Sequence, residues 1–122
     1  MYIRHEIGRL GERACVEYLE QENNKIVTKN YRTRLGEIDI ITRDLKSNEL
    51  VFIEVKTRTN SEFGDPIDSI DKKKILNIYK SAQLYILKNK LENENIRLDI
   101  MEVFMYNMKV YRINHIKNIY WD

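Results

Sequence analysis

Two short stretches, GEIDII at residues 36–41 and VFIEVKTR at residues 51–58, carry the alternation and the Ile, Val and Phe content of β-strands. Between them DLKSNEL, residues 44–50, reads as a turn. A turn this short is expected to pair its flanking strands antiparallel, which would hold the two runs side by side. Each run also places charge among apolar residues: Asp39 in the first, Glu54 and Lys56 in the second. Strand side chains alternate between faces. Glu37, Asp39 and Ile41 are therefore expected on one face of their strand, with Ile38 and Ile40 on the other. In the next strand Val51, Ile53 and Val55 share one face, and Phe52, Glu54 and Lys56 the other. Glu54 and Lys56 then stand about 6 to 7 Å apart along the strand, and the hairpin brings Asp39 near Glu54.

One account of these charges is a solvated sheet face, on which a Glu–Lys pair contributes less than ~1 kcal/mol. The other starts from repulsion. Two carboxylates side by side without a counter-charge raise one another's pKa, and a divalent cation removes that conflict. Hard oxygen ligands in this number suit Mg²⁺, which keeps several waters and takes one or two carboxylates from the protein. Lys56 beside them is placed to orient a water or to stabilise charge developing on a phosphoryl oxygen.

The rest of the chain supplies the frame. Residues 4–22 have helical spacing, with Ile7, Leu10, Ala14, Cys15, Tyr18 and Leu19 near one face and Glu12 at the rim of that stripe. Gly8 and Gly11 weaken this helix by about 1 kcal/mol each relative to Ala, while permitting close packing. NNK at 23–25 is a turn, and IVTKNYRTR at 26–34 a strand ahead of the other two, which makes an antiparallel meander. A loop, TNSEFGDPID, leads to a second helix over 69–90, with Ser69 or Asp71 as its cap and Lys88 and Lys90 suited to its C-terminal dipole. IRLDIMEVFMY and MKVYRINHIKNIYW are expected to form a last hairpin, and the tail strand VYRINHIKNIYW either closes the sheet or pairs with a second chain. The order, helix, three strands, helix, two strands, predicts a mixed α/β (α+β) fold.

The 122 residues suit one domain, 1–122. A net charge of +2 imposes no global basic field, so any nucleic-acid reading rests on local clusters. Cys15, the lone cysteine, excludes an intrachain disulfide and is expected to be buried. His5 and His115 make no zinc-like spacing with it. No apolar run approaches membrane-spanning length and the opening MYIRHEIGRLGERA lacks a signal-peptide core, so the expected location is the cytoplasm, with no membrane partner.

Asp39…Glu54-Val55-Lys56 resembles the PD-(D/E)XK nuclease superfamily, with Ile38 where the superfamily's name has Pro. GRLGERACVEYL, NYRTRLGEIDII, VFIEVKTR, FGDP and KKKILNIYKSAQLYI, in that order from about residue 8 to about residue 104, resemble the YraN-like family of small bacterial proteins, distant relatives of Holliday junction resolvases. Asn24 departs from the Gly usual in the turn after the first helix. The resemblance implies a restriction-endonuclease-like core, a central mixed sheet of about five strands flanked by helices. It implies that Asp39, Glu54 and the carbonyl of Val55 ligate Mg²⁺ or Mn²⁺, that Lys56 serves the attacking water, and that Glu12 reaches the metal directly or through water. An ordinary surface Glu is the alternative for Glu12. The implied activity is endonucleolytic phosphodiester hydrolysis in nucleic acid, with structured or branched DNA as the expected substrate and a homodimer as a candidate assembly. The competing expectations are a nucleic-acid-binding module, or an assembly partner, without turnover.

Arg32, Arg34, Arg58 and Lys73 are the candidate phosphate contacts. For Lys72–Lys74 a solvated helix face is the alternative. Tyr31 and Phe63 are either base-stacking residues or core, and His115 is expected to be structural.

Overall fold

A computed structural model describes residues 2–59 and 72–119, with side chains from Arg4 onward. The chain runs α1 (Tyr2–Gln21), β1 (Asn24–Thr33), β2 (Gly36–Asp44), β3 (Glu49–Thr59), α2 (Lys72–Lys88), β4 (Ile96–Tyr106) and β5 (Lys109–Ile116). The strands form one five-stranded sheet in the order β1-β2-β3-β4-β5. All neighbours are antiparallel except β3 and β4, which run parallel. A parallel pair needs a long crossover, and α2 lies in it. The mixed sheet flanked by two helices is consistent with the expected restriction-endonuclease-like core. FGDP, Phe63 and the capping candidates Ser69 and Asp71 lie outside the described residues.

Each helix covers one face. Cys15 and Leu19 of α1 pack on Ile40, Val51, Ile53, Met101, Val103 and Met105. Ile78 and Ala82 of α2 pack on Ile38, Ile41, Leu50 and Phe52 from the other side. β3 is therefore buried on both faces, which is why its first half reads as a continuous apolar run rather than an alternating one. α1 approaches the sheet closely at Gly11, where an added Cβ would run into the Thr57 side chain. Gly8 faces open space, so of the two glycines only Gly11 serves packing.

The turns fix the registers. Asp44 Oδ1 accepts the backbone N–H groups of Lys46 and Ser47 (2.9 and 3.3 Å), and Asn48 takes a left-handed φ of 60°. This closes the β2–β3 hairpin with Asp44 opposite Glu49. The β4–β5 connection is the two-residue turn Asn107-Met108, both residues left-handed, as a type I′ hairpin requires.

Strict alternation in β2 fails. Ile38 belongs to the core under α2 and Ile40 to the core under α1, so they do not share a face. The irregularity is at Asp39. Paired rungs with β3 run from Asp44↔Glu49 to Ile40↔Ile53 and stop there. On the other side the register passes from Lys29↔Ile40 to Tyr31↔Ile38, which leaves Asn30, with φ 53°, opposite Asp39. A left-handed residue in one strand facing a residue that leaves the ladder in the next reverses the facing of everything beyond. Among the described residues no helix is long and apolar enough to cross a membrane.

Candidate functional site

The site forms where β2 and β3 part. Asp39 Oδ2 accepts the backbone N–H of Val55 at 2.8 Å, taking the place of the carbonyl that a continued ladder would have supplied. The Glu54 side chain lies close enough to the Asp39 carboxyl to raise its pKa. Burial, then the Glu54 charge, push the Asp39 pKa up to about 7 against the lowering effect of the Val55 N–H. Glu54 is only 5% exposed. Its Oε2 receives the ammonium of Lys74, from the first turn of α2, at 2.8 Å. Lys56, two residues beyond Glu54, is half-buried. Burial and then the neighbouring Lys74 charge lower its pKa, while Glu54 and Asp39 act in the opposite sense.

Asp39 also opens into a cleft of about 430 Å³ between the first turns of α1 and strands β1–β3, lined among others by Arg4, Arg9, Glu12, Asn30, Arg32 and Val55. Glu12 is held there by Asn30, whose Nδ2 donates to Glu12 Oε1 at 2.9 Å. The left-handed backbone at Asn30 thus coincides with a side chain turned onto the acid of α1. Cys15 lies beneath. Burial, then the charges of Glu12 and Asp39, push its thiol up to about 12, which leaves it unreactive as a nucleophile.

Does this donor set suit a metal? Among the described residues no three His, Cys, Asp or Glu side chains converge to hold an ion. Glu12 therefore does not complete a carboxylate triad. Two neighbouring carboxyl groups remain, Glu54 buried and Asp39 half-buried, and burial first, then the Glu54 charge, raises the pKa of Asp39 to about 7. Two carboxylates and a backbone carbonyl, with water completing the shell, are enough for Mg²⁺, so the residues fit a hard divalent cation.

The model of the family described as Uncharacterised protein family UPF0102 matches residues 11–103. The chain belongs to UPF0102. It is 44% identical over 115 residues to a UPF0102 protein of Clostridioides difficile strain 630, covering 94% of this chain and 96% of that protein. It is 41% identical over 117 residues to a UPF0102 protein of Alkaliphilus oremlandii, covering 94% and 97%. With a UPF0102 protein of Caldanaerobacter subterraneus the figure is 39% over 116 residues, covering 93% of each. UPF0102 is the YraN-like family to which the sequence motifs point. Its matched span includes Glu12, Asp39, Glu54, Lys56 and Lys74.

Within this UPF0102 fold the predicted residues separate into groups. Asp39, Glu54, Val55 and Lys56 come together, and Glu12 shares the cleft with Asp39. Arg32 lines that cleft, and Arg58 acts on Lys56 through its charge. Arg34 is exposed in the β1–β2 turn and Lys73 is exposed on α2. Tyr31 packs edge-on against Tyr85 at 5.0 Å in the core under α2, not as an open stacking platform. His115 is structural: its Nε2 lies 2.7 Å from Asp99 Oδ2, in a buried network in which Arg97 also binds Asp99, Asp44 and Glu49.

Two residues take places that the sequence does not indicate. Lys74, expected either at a phosphate or on a solvated helix face, sits on Glu54. Glu102 of β4 stands on the rung beside Lys56 and is fully buried. Its Oε1 accepts from Asn114 Nδ2 of β5 at 2.8 Å, while its Oε2 has no hydrogen-bond partner among the described residues. The signal was present in DIMEVFM, a charge inside an apolar strand, the same feature that marks Asp39 and Glu54.

Proposed function

We propose that this UPF0102 chain is a metal-dependent nuclease that hydrolyses phosphodiester bonds in nucleic acid, with structured or branched DNA as the first substrate class to test. The observation that carries the reading is the contact between Asp39 and Glu54 where β2 and β3 diverge, with Lys56 on the same strand as Glu54. In this reading Asp39, Glu54 and the carbonyl of Val55 hold Mg²⁺ or Mn²⁺. The bound cation supplies Lewis acidity toward the phosphoryl group and the attacking water. Lys56, whose ammonium is made more acidic by burial, donates hydrogen bonds to that water and to the oxygens on which charge develops. The Val55 N–H keeps Asp39 in one orientation, so the acid pair is preorganised rather than assembled on binding. Arg4, Arg9 and Arg32, around the cleft, supply positive charge for the phosphate backbone.

The test is incubation with branched, duplex and single-stranded DNA and with RNA, with and without Mn²⁺. Cleavage is expected only with the metal, and Asp39→Asn, Glu54→Gln and Lys56→Met are each expected to lower it at least ~100-fold. Products that persist in Asp39→Ala or Glu54→Ala would trace to a contaminant and end the claim. Salt-sensitive binding with no products under any metal would leave a binding module.

A further inference from the structure

We infer that Tyr111, backed by Phe104 and Arg112, is a stacking platform for unpaired bases of a single-stranded segment that leads away from the acid pair. The inference rests on the nuclease reading for the identity of the ligand and narrows it to a substrate with an unpaired arm. Phe104 faces the α2 side of the sheet, since Val103 and Met105 on either side of it belong to the core under α1. α2 covers another part of that face, at Ile38, Ile41, Leu50 and Phe52, and its cluster takes in Leu98 of β4. Phe104 stands six residues, about 20 Å, farther along β4 than Leu98. Its neighbour on β3 is Arg58, four residues, or about 13 Å, beyond Glu54. Val55 packs toward α1, so Glu54 and Lys56 face the α2 side with Phe104. Acid pair and platform therefore lie on one face of the sheet.

A bulge builds the platform. The β4–β5 register passes from Phe104↔Arg112 to Met105↔Val110, which leaves Tyr111 without a rung. Bulges re-aim a side chain, and here the Tyr111 ring comes to 6.4 Å from that of Phe104, tilted by 43° rather than stacked on it. The Arg112 guanidinium lies over the Phe104 ring, 5.1 Å from its centroid. Phe104 is half-buried in this arrangement, while Tyr111 is 58% exposed, a ring that folding leaves in water. The charge around it has one sign. Residues 103–119 carry Lys109, Arg112 and Lys117 and no Asp or Glu, in a chain whose net charge is only +2. The nearest acid along β4, Glu102, is buried and held by Asn114. An exposed ring beside a guanidinium suits a nucleotide, whose base stacks on the ring while its phosphate meets the cation. Bases within a duplex are stacked on one another and offer no free face, so the platform selects unpaired nucleotides.

The experiment is fluorescence anisotropy of a labelled oligothymidylate and of a labelled DNA duplex, with the protein in chelator. Wild type, Tyr111→Ala, Tyr111→Phe and Arg112→Gln are compared. Tyr111→Ala is expected to weaken binding of the single strand roughly 5- to 100-fold, and of the duplex by less than about 3-fold. Tyr111→Phe keeps the ring and is expected to stay within about 3-fold of wild type on both. Arg112→Gln is expected to lower the slope of log affinity for the single strand against log salt by about 0.7; an unchanged slope would overturn the phosphate contact. Equal single-strand affinity in wild type and Tyr111→Ala, or no single-strand binding to wild type, would overturn the platform. So would a loss in Tyr111→Phe as large as in Tyr111→Ala, since the ring is then not what binds. A wild type that binds no single strand but forms a dimer that Tyr111→Ala breaks would make this face a contact between copies of the chain. With the metal chelated, this test is separate from that of the nuclease. No cleavage under any metal beside Tyr111-dependent binding would sink the nuclease and leave the platform; Mn²⁺-dependent cleavage beside Tyr111-independent binding would do the reverse.

Discussion

Asp39 and Val55 are joined by a hydrogen bond from main chain to carboxylate, 2.8 Å long, so one side chain both ends the β2–β3 ladder and meets Glu54. Chemistry and backbone geometry are tied together at this point. Removing the Asp39 carboxyl altogether would leave the Val55 N–H without its acceptor. Asparagine keeps an oxygen for Val55 while deleting the charge.

That difference gives a pH prediction. Asp39 titrates near 7 in the fold, against an ordinary value of 3.8. Between those values the folded state holds a proton that the unfolded chain has released, so stability falls as pH rises from about 4 to about 7 and levels off above. In chelator, the melting temperature of wild type is expected to drop between pH 5 and pH 8 more than that of Asp39→Asn. At pH 8 the Asn variant is expected to be the more stable by on the order of 2–4 kcal/mol, though inactive. Parallel pH profiles for the two proteins would refute the shifted acid.

The two glycines of α1 predict opposite outcomes. Gly8→Ala places a methyl in open space and gains the helical preference of Ala, a stabilisation of up to about 1 kcal/mol. Gly11→Ala gains the same preference but forces Thr57 and β3 away from the helix. Overpacking of this kind costs about 1–3 kcal/mol, so the clash wins. Urea denaturation of both variants checks the sign; a stabilised Gly11→Ala would mean that α1 sits farther from β3 than described.

The buried network at the far end of the sheet predicts an order of damage. Burial raises the pKa of Asp99, but His115, Arg97 and the Asn118 N–H more than offset this and hold it below the usual carboxylate range. Its contribution is therefore present above about pH 4 and is lost as pH falls through the depressed value. Asp99→Asn leaves Arg97 with Asp44 and Glu49 as partners. Arg97→Met leaves Asp99, which is fully buried, with His115 as its one basic partner among the described residues. Losses of about 3 kcal/mol for the first and more for the second are expected by chemical denaturation. The reverse order would mean that Arg97 contributes less than its three acids suggest.

Much of this architecture could be read from spacing alone. The helical stripe around Cys15 and Leu19, the short turn at Asp44–Asn48 and the exact span of β4 are local signals, and each element formed where its period indicated. The approach of Asp39 to Glu54 followed from the hairpin. The reversal of facing at Asp39 did not, because period-2 counting carries no mark of a strand that leaves its ladder, and Asn30 gives only a weak hint of a left-handed residue. Lys74 and Arg97 were illegible for another reason. The acid of Lys74 lies 20 residues away, and of the three acids on Arg97 only Asp99 is local, Glu49 and Asp44 lying 48 and 53 residues away across the fold. Glu102 was legible and was overlooked, since a single acid in an apolar strand invites the solvated-face reading that its burial excludes.

α2 rests on the sheet through supports of unlike kinds. Ile78 and Ala82 seat its middle among Ile38, Ile41 and Phe52, a contact indifferent to ionic strength. Its opening turn touches down through Lys74 on Glu54, a contact that dissolved ions compete for. The helix is thus a beam fixed at mid-span and latched at one end by charge, and the composition of the surrounding electrolyte sets how firmly that end is fastened.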